Sequence, residues 1–392
     1  MKGSLIRFID NEETRHNFIK KPKINIGLRT QNTIIVFTLH TKYSIIIATR
    51  VSHNTVFLYE FSILGLPFTS FRKDVCNMIK TVFSIDLPVL ENMHILKNRI
   101  EPLTQTGKEK RVCIVTGIHG DELEGQYICY EIMRRIHANI HNLHGIIDIY
   151  PSLNPLGMDS LTRGIPAFDL DLNRCFPGNK DGDMSENAAA KIVEDIIGSY
   201  LCIDLHSSNI FLREIPQVRM IEENASMLLP YAKLLNLDFV WVHPSATVQN
   251  ATLAHALNTN GVPTIAVEMG TGMRITKQFG DQITEGIFCL LKEIGMWDGE
   301  VITPKTPIIS SEGHREVTMV HADASGIFLP AVEHWNGVKK GDAIGDIVNT
   351  LTGSIEQHII SPCDGMVFTL REYPVVNSGS LIVRILGGDL SC

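Results

Sequence analysis

His119 and Glu122 stand three residues apart in Gly117-Ile118-His119-Gly120-Asp121-Glu122, just after the apolar run Val112–Thr116 and just before a helical pattern. In a strand-to-helix turn, an imidazole and a carboxylate at this spacing can face one cation, and Gly117 and Gly120 permit the sharp backbone path. A second strand-like run, Leu201–Leu205, leads into Asp204-Leu205-His206-Ser207-Ser208 and brings another imidazole to a strand terminus. Two His and one carboxylate leave a fourth position open for water, as in catalytic zinc hydrolases. Taken singly, either His reads as an ordinary hydrogen-bonded residue. The three in this order, with the features that follow, point to zinc.

Between these segments lie Leu161-Thr162-Arg163-Gly164 and Asp169-Leu170-Asp171-Leu172-Asn173-Arg174. An Asn-Arg pair in a loop can grip a carboxylate, the Arg through two parallel N–H bonds and the Asn through its amide. Arg163 can polarise a scissile carbonyl and hold a developing oxyanion, and Asp171 can support the Asn-Arg loop. A surface salt bridge is the ordinary alternative for either Arg. Further on, the apolar run Thr264–Val267 delivers Glu268 and turns at Gly270. Beside an activated water such a Glu serves as general base and then as proton donor to a leaving amine. Other clusters fare worse. His137, His141 and His144 could share one helix face but have no properly spaced carboxylate, so they read as a solvated face; His321 and His334, flanking turns, read the same way. P-loop and G-x-G-x-x-G patterns are absent.

These residues need a frame, and from about residue 79 the punctuation supplies one. Strands are expected at Arg111–Gly117, Gly145–Tyr150, Leu201–Leu205, Phe239–Val242 and Pro263–Glu268. Helices are expected at Glu122–Ile140, Met184–Tyr200, Glu222–Leu235, Ala251–Asn258 and Thr276–Met296. This alternation argues for an α/β sheet covered on both faces, with the site at the carboxyl ends of its strands.

Three zones follow: residues 1–77, 78–299 and 300–392. The first carries 11 Lys+Arg against 5 Asp+Glu, a balance of +6, while the remainder stands at −14. Its β-branched runs, Ile34–Leu39 and Ser44–Thr49, suggest strands, but it contains no candidate for chemistry. It reads as a small appended β-rich domain or as sequence that does not fold as a domain, and Met78 is a candidate start of the functional chain. The last zone loses the helical period and reads as short strands, at Arg315–His321, Gly326–Leu329, Ala343–Val348, Gly365–Leu370 and Ser380–Leu386. Ser325-Gly326 with VKKGDA and Asp364-Gly365 with VNSGS look like imperfect halves of one another, as in a barrel-sandwich hybrid. Neither half shows the lysine of a biotinyl or lipoyl carrier at its hairpin tip, so this zone reads as a structural appendage.

The whole chain has 392 residues, 44% hydrophobic and 20% charged, with a net charge of −8. Its basic residues form no long run, which argues against nucleic-acid binding. No apolar stretch is long enough to span a bilayer, and the N-terminus lacks the apolar segment of a signal peptide. The eight cysteines form no C-x-x-C pair, and most read as buried thiols in a reducing compartment; Cys175, in a polar loop beside Arg174, is the thiol to note. These features together read as a cytoplasmic protein, without membrane or nucleic-acid partners and compatible with a homo-oligomer.

The ordered motifs GIHGDELEG, TRG, DLNR, DLHSS and VEMG resemble the succinylglutamate desuccinylase/aspartoacylase family, a branch of the zinc carboxypeptidase clan, over roughly residues 80 to 390. The resemblance implies one zinc ion per subunit on His119, Glu122 and His206, Glu268 as base and acid, Arg163 at the carbonyl, and Asn173 with Arg174 on the substrate carboxylate. It also implies a mixed sheet in a three-layer α/β/α arrangement, and a tail that narrows the site in favour of small N-acyl amino acids. Residues 1–77 have no counterpart in the family pattern. The expected function is zinc-dependent hydrolysis of a small N-acyl amino acid at its amide bond. The alternatives are a metallocarboxypeptidase using the same residues on short peptides, and a non-catalytic binding module, which predicts a broken site.

Overall fold

The computed structural model describes residues 25–30, 33–41, 44–52, 55–62, 77–166, 169–244, 251–312 and 316–387. The chain divides into two compact units, Met1–Lys73 and Asp74–Cys392. In the first, β1 (Asn25–Thr30), β2 (Thr33–Thr41), β3 (Ser44–Ser52) and β4 (Thr55–Ser62) pair antiparallel in sequence order.

The second unit opens with a long hairpin, β5 (Asn77–Leu87) and β6 (Glu91–Ile100), which the sequence reading did not resolve as two strands. Then follow β7 (Arg111–Thr116), α1 (Glu124–Ala138), β8 (Ile146–Tyr150), α2 (Pro155–Ser160), α3 (Met184–Ile196) and β9 (Leu201–Ser207). The α/β portion continues through β10 (Leu212–Ile221), α4 (Glu222–Ala232), β11 (Phe239–His243), α5 (Leu253–Thr259), β12 (Thr264–Gly270) and α6 (Lys277–Glu293). Strands β12, β9, β7 and β8 run parallel at the centre of a mixed sheet. Antiparallel β10 flanks them on one side and antiparallel β6 on the other.

Alternation along the central strands explains the layers. Val112, Ile114, Leu201, Ile203, Leu205, Ile265 and Val267 face a core shared with α1, α4 and α6. Cys113, Val115 and Cys202 face the opposite core, built with α3 and α5. Side chains of successive strand residues point to opposite faces, so a strand buried on both sides reads as an unbroken apolar run. The three-layer α/β/α expectation holds. On the second face Asp204, His206 and Glu268 follow the same alternation towards the strand ends, and this is where the site forms.

The tail comprises β13 (Ile308–Ile309), β14 (Val317–His321), β15 (Gly326–Pro330), β16 (Gly337–Val338), β17 (Ala343–Val348), β18 (Ile355–Ile360), β19 (Gly365–Arg371), β20 (Val375–Val376) and β21 (Leu381–Gly387). Its imperfect halves are real. β15 pairs with β17 and β20, while β19 pairs with β21 and β16, so each half lends a short strand to the other. The equivalent turns contain Gly341 and Gly379, both with positive φ. The tail also joins the large sheet: β19 pairs antiparallel with β10, Glu214 lying opposite Thr369.

Two readings of histidines are corrected. α1 ends at Ala138, so His141 and His144 lie beyond it and cannot share its face with His137; His144 instead meets Asp298 at 2.5 Å. His334 is not on a solvated face: its Nε2 lies 2.9 Å from the Phe368 carbonyl, and burial lowers its pKa to about 4. Cys113, Cys129, Cys202 and Cys289 are buried free thiols, as expected.

Candidate metal centre and its cavity

The loop between β7 and α1 is shaped by contacts that only glycine allows. Gly117 has φ +66°, and its carbonyl accepts the backbone N–H groups of Leu153 and Asn154. A Cβ on Gly120 would lie 2.0 Å from the carbonyl carbon of Gly157, so the loop lies directly on the first turns of α2. Asn154 ties both together, accepting from Gly157 N–H at 2.9 Å and donating to the Arg163 carbonyl at 3.3 Å. α1 begins at Glu124, two residues after the expected start, which leaves Glu122 in the turn.

His119, Glu122 and His206 converge there. All three are buried, and one potential ligand atom from each lies within 4.8 Å of the others. Among the described residues no other such group occurs. His119 Nδ1 stands 2.6 Å from Glu122 Oε1 yet is buried without hydrogen-bonding geometry, and His206 Nδ1 is 3.0 Å from Glu122 Oε2. The opposite ring nitrogens face carboxylates: His119 Nε2 is hydrogen-bonded to Asp171 Oδ1 at 3.0 Å, and His206 Nε2 lies 3.1 Å from Asp204 Oδ2 without hydrogen-bonding geometry. Two imidazoles presenting Nδ1 beside one carboxylate, each with an Asp behind it, form a donor set that fits zinc. Burial alone would raise the Glu122 carboxyl, but His119 and His206 outweigh it and hold the group well below the usual carboxylate range.

The remaining expected residues gather around this centre. Arg163 donates to Glu122 Oε1 at 2.9 Å and to Asp171 Oδ2 at 3.3 Å, so its guanidinium sits against the ligand set. Asp171 caps the turn at Leu172–Arg174 by accepting from Asn173 N–H at 2.8 Å, and so supports the Asn-Arg loop while bracing His119. Burial would raise the Asp171 carboxyl, but His119 and Arg163 prevail and lower it. Asn173 Oδ1 accepts from Leu253 N–H at the start of α5, which leaves its Nδ2 as the donor for a ligand. Arg174 Nη1 donates to the Asn173 carbonyl at 2.7 Å. Glu268 lies beside His206 in the parallel β12–β9 register. Burial raises its carboxyl above the usual value, against the opposing pull of Arg219 and His206.

His119, Glu122, His206, Arg163, Asn173, Arg174 and Glu268 line one cavity of about 530 Å³, a size suited to a small ligand. Residues 108–294 match the family model for the succinylglutamate desuccinylase/aspartoacylase catalytic domain. The match assigns those residues, and not the chain as a whole, to that family's catalytic domain. A curated relative, N-alpha-acetyl-L-2,4-diaminobutyric acid deacetylase from Halomonas elongata, is 26% identical over 299 residues, covering 72% of this chain and 84% of the relative. A solved succinylglutamate desuccinylase/aspartoacylase from Rhodobacter sphaeroides superposes with a TM-score of 0.67 at 20% identity, over 83% of this chain and 98% of that one. The product-bound ectoine utilization protein EutE (DoeB) from Ruegeria pomeroyi gives a TM-score of 0.67 at 19% identity, over 82% and 98%. These two likenesses establish the desuccinylase/aspartoacylase fold for the α/β portion and the tail.

Sequence reasoning missed one wall of this cavity. Glu214 and Arg219 of β10 and Arg384 of β21 line it. β10 gave no strand signal because Pro216 and four polar or charged residues interrupt its apolar pattern. A register shift between Glu214 and Gln217 accommodates the proline. Asp204 was visible in the DLHSS motif, and its place two residues before His206 on the same strand face was the available signal.

Proposed function

We propose that this chain is a zinc-dependent amidohydrolase that cleaves the amide bond of a small N-acyl amino acid. The observation that carries this reading is the convergence of His119, Glu122 and His206 next to Glu268, at the carboxyl ends of neighbouring parallel strands. His119 Nδ1, His206 Nδ1 and the Glu122 carboxylate would hold the ion. When bound, zinc lowers the pKa of a water to about 7 and polarises a carbonyl.

Glu268 accepts the proton of the attacking water at a carboxylate oxygen and returns it to the nitrogen of the departing amine. A carboxyl raised by burial is suited to both halves of that exchange, because a general base works best with a pKa nearer the working pH. Arg163, anchored on Glu122 and Asp171, offers its guanidinium to the oxygen on which negative charge develops. Arg174 and Asn173 Nδ2 hold the substrate carboxylate and so orient the amide. The products are a carboxylate and a free amino acid.

The size of the cavity supports an acyl amino acid over a peptide. The family and the deacetylase relative support amide hydrolysis. The candidate ligands, base and arginines all have the required residue types, which speaks against a purely binding role. The test is a panel of N-acetyl and N-succinyl amino acids, with short peptides as controls, on protein whose zinc content is measured. Hydrolysis confined to peptides, or rates unaffected by stripping and restoring zinc, would overturn this reading.

A further inference from the structure

We infer that Arg384, on the β-rich tail, is a positioning residue for Glu268, acting through Glu214 and Arg219. This rests on the reading of Glu268 as the base. Glu214 is buried at 1% exposure, and four donors surround it. Arg384 Nη1 lies 2.6 Å from Oε1 and Thr369 Oγ1 3.5 Å from it, while Oε2 takes Gln217 Nε2 at 2.7 Å together with Arg219 Nη2. The other terminal nitrogen of Arg219, Nη1, turns to Glu268 Oε1 at 3.9 Å. Register explains how the tail reaches this far. Glu214 of β10 lies opposite Thr369 of β19, and Thr369 opposite Arg384 of β21. Both guanidinium groups also stand over the Trp241 ring, at 5.5 and 5.6 Å from its centroid.

The charges alternate along this row: Glu268, Arg219, Glu214, Arg384. A single guanidinium would neutralise Glu214, so burial of that carboxylate requires only one of the two arginines. The second has another consequence. With Arg384 on Oε1, Glu214 does not draw all of Arg219 to itself, and one face of Arg219 stays directed at Glu268. Without Arg384, Arg219 is the sole counter-charge of a buried carboxylate, and its guanidinium is pulled from Glu268 towards Glu214. The base then loses its lateral restraint. Misplacing a reacting group by about 1 Å costs on the order of 100-fold in rate.

The experiment uses the full-length zinc-loaded protein and the panel member it hydrolyses fastest. Arg384→Met should lower kcat about 10- to 100-fold, with KM and zinc content unchanged, and Arg384→Lys should recover part of the loss. Arg219→Met should lower kcat similarly, and the Arg219→Met/Arg384→Met pair should be no worse than Arg219→Met alone, because both act on one contact. Additive losses, or unchanged kcat in folded Arg384→Met, would overturn the inference. Should Arg384→Met fail to fold, Thr369→Val weakens the same anchor more gently and is read by the same criteria. A crystal structure of the variant separates this inference from the hydrolase reading. If the wild-type protein hydrolyses nothing in the panel, that reading fails, yet retreat of Arg219 from Glu268 in the variant still supports the row, and an unmoved Arg219 refutes it.

Discussion

The two walls of the cavity are built on different plans. On the side of the candidate metal centre, His119 and Glu122 come from one six-residue turn, and His206 with the nearby Asp204 from one strand end. On the far side, Glu214 lies more than 150 residues of chain from Thr369 and Arg384, and the three meet only because β10, β19 and β21 lie side by side. The near wall concentrates its chemistry in local spacing, since a cation requires two donors at a fixed separation and a tight turn supplies it. The far wall distributes its chemistry through register, and a buried carboxylate can take its counter-charges from any strand that passes. The tail is therefore a source of charge for the site, through Arg384.

Glu268 stands between the walls, and its replacement should have the largest effect. Glu268→Gln keeps the shape of the side chain and removes the proton acceptor. Turnover should fall by roughly 10²- to 10⁴-fold while zinc remains at one ion per chain. Wild-type turnover would remove Glu268 from the chemistry, and loss of the ion would make it a ligand.

The near wall is sharpened by Asp204→Asn. His206 Nε2 would face an amide in place of the buried carboxylate now 3.1 Å away. Partners of this kind contribute about 10- to 100-fold to metal affinity, so competition with a chelator should show a loss of that size. The same substitution should leave the Arg219–Glu268 geometry intact, because no hydrogen bond or ion pair joins Asp204 to Arg219, Glu214 or Glu268. Unchanged metal affinity would show that His206 is oriented by its backbone alone.

A smaller and more selective effect belongs to the rim. Arg174→Ala should weaken substrates with a free carboxylate by roughly 1.5–3 kcal/mol, or about 10- to 100-fold in kcat/KM. Amide analogues of the same substrates should lose little, because they offer no charge to the guanidinium. Equal losses for acids and amides would assign Arg174 to holding the Asn173 loop through its contact with the Asn173 carbonyl.

What could be read from the sequence follows the same division. β7, β9 and β12 are buried on both faces, so their apolar runs announced them, and the residues just beyond those runs were the candidate ligands and base. The imperfect halves of the tail were legible because equivalent glycine turns recur in each. β10 was invisible for a physical reason. A strand that turns Glu214 and Arg219 into a cavity and carries Pro216 at a bulge has neither alternation nor a continuous apolar run. The ion cluster of Lys97, Arg99 and Arg111 around the fully buried Asp148 was hidden for a similar reason, since its members come from β6, β7 and β8 and meet only across the sheet. Long-range ion pairing leaves no periodicity in a sequence.

The smallest effect should come from removing residues 1–73. Their charge balance is opposite in sign to that of the rest of the chain, and every residue lining the cavity lies between His119 and Arg384. A protein beginning at Asp74 retains the whole second unit, including the first rung of the β5–β6 ladder, Asn77 opposite Ile100. Starting at Met78 would remove that rung, so Asp74 is the cleaner cut. If both walls are complete within the second unit, kcat/KM and zinc content should match the full-length protein within about twofold, the spread of changes remote from packed features. An insoluble or metal-free product would show that the first unit is needed to form the walls. A soluble, zinc-loaded product with altered KM alone would assign those residues to substrate access.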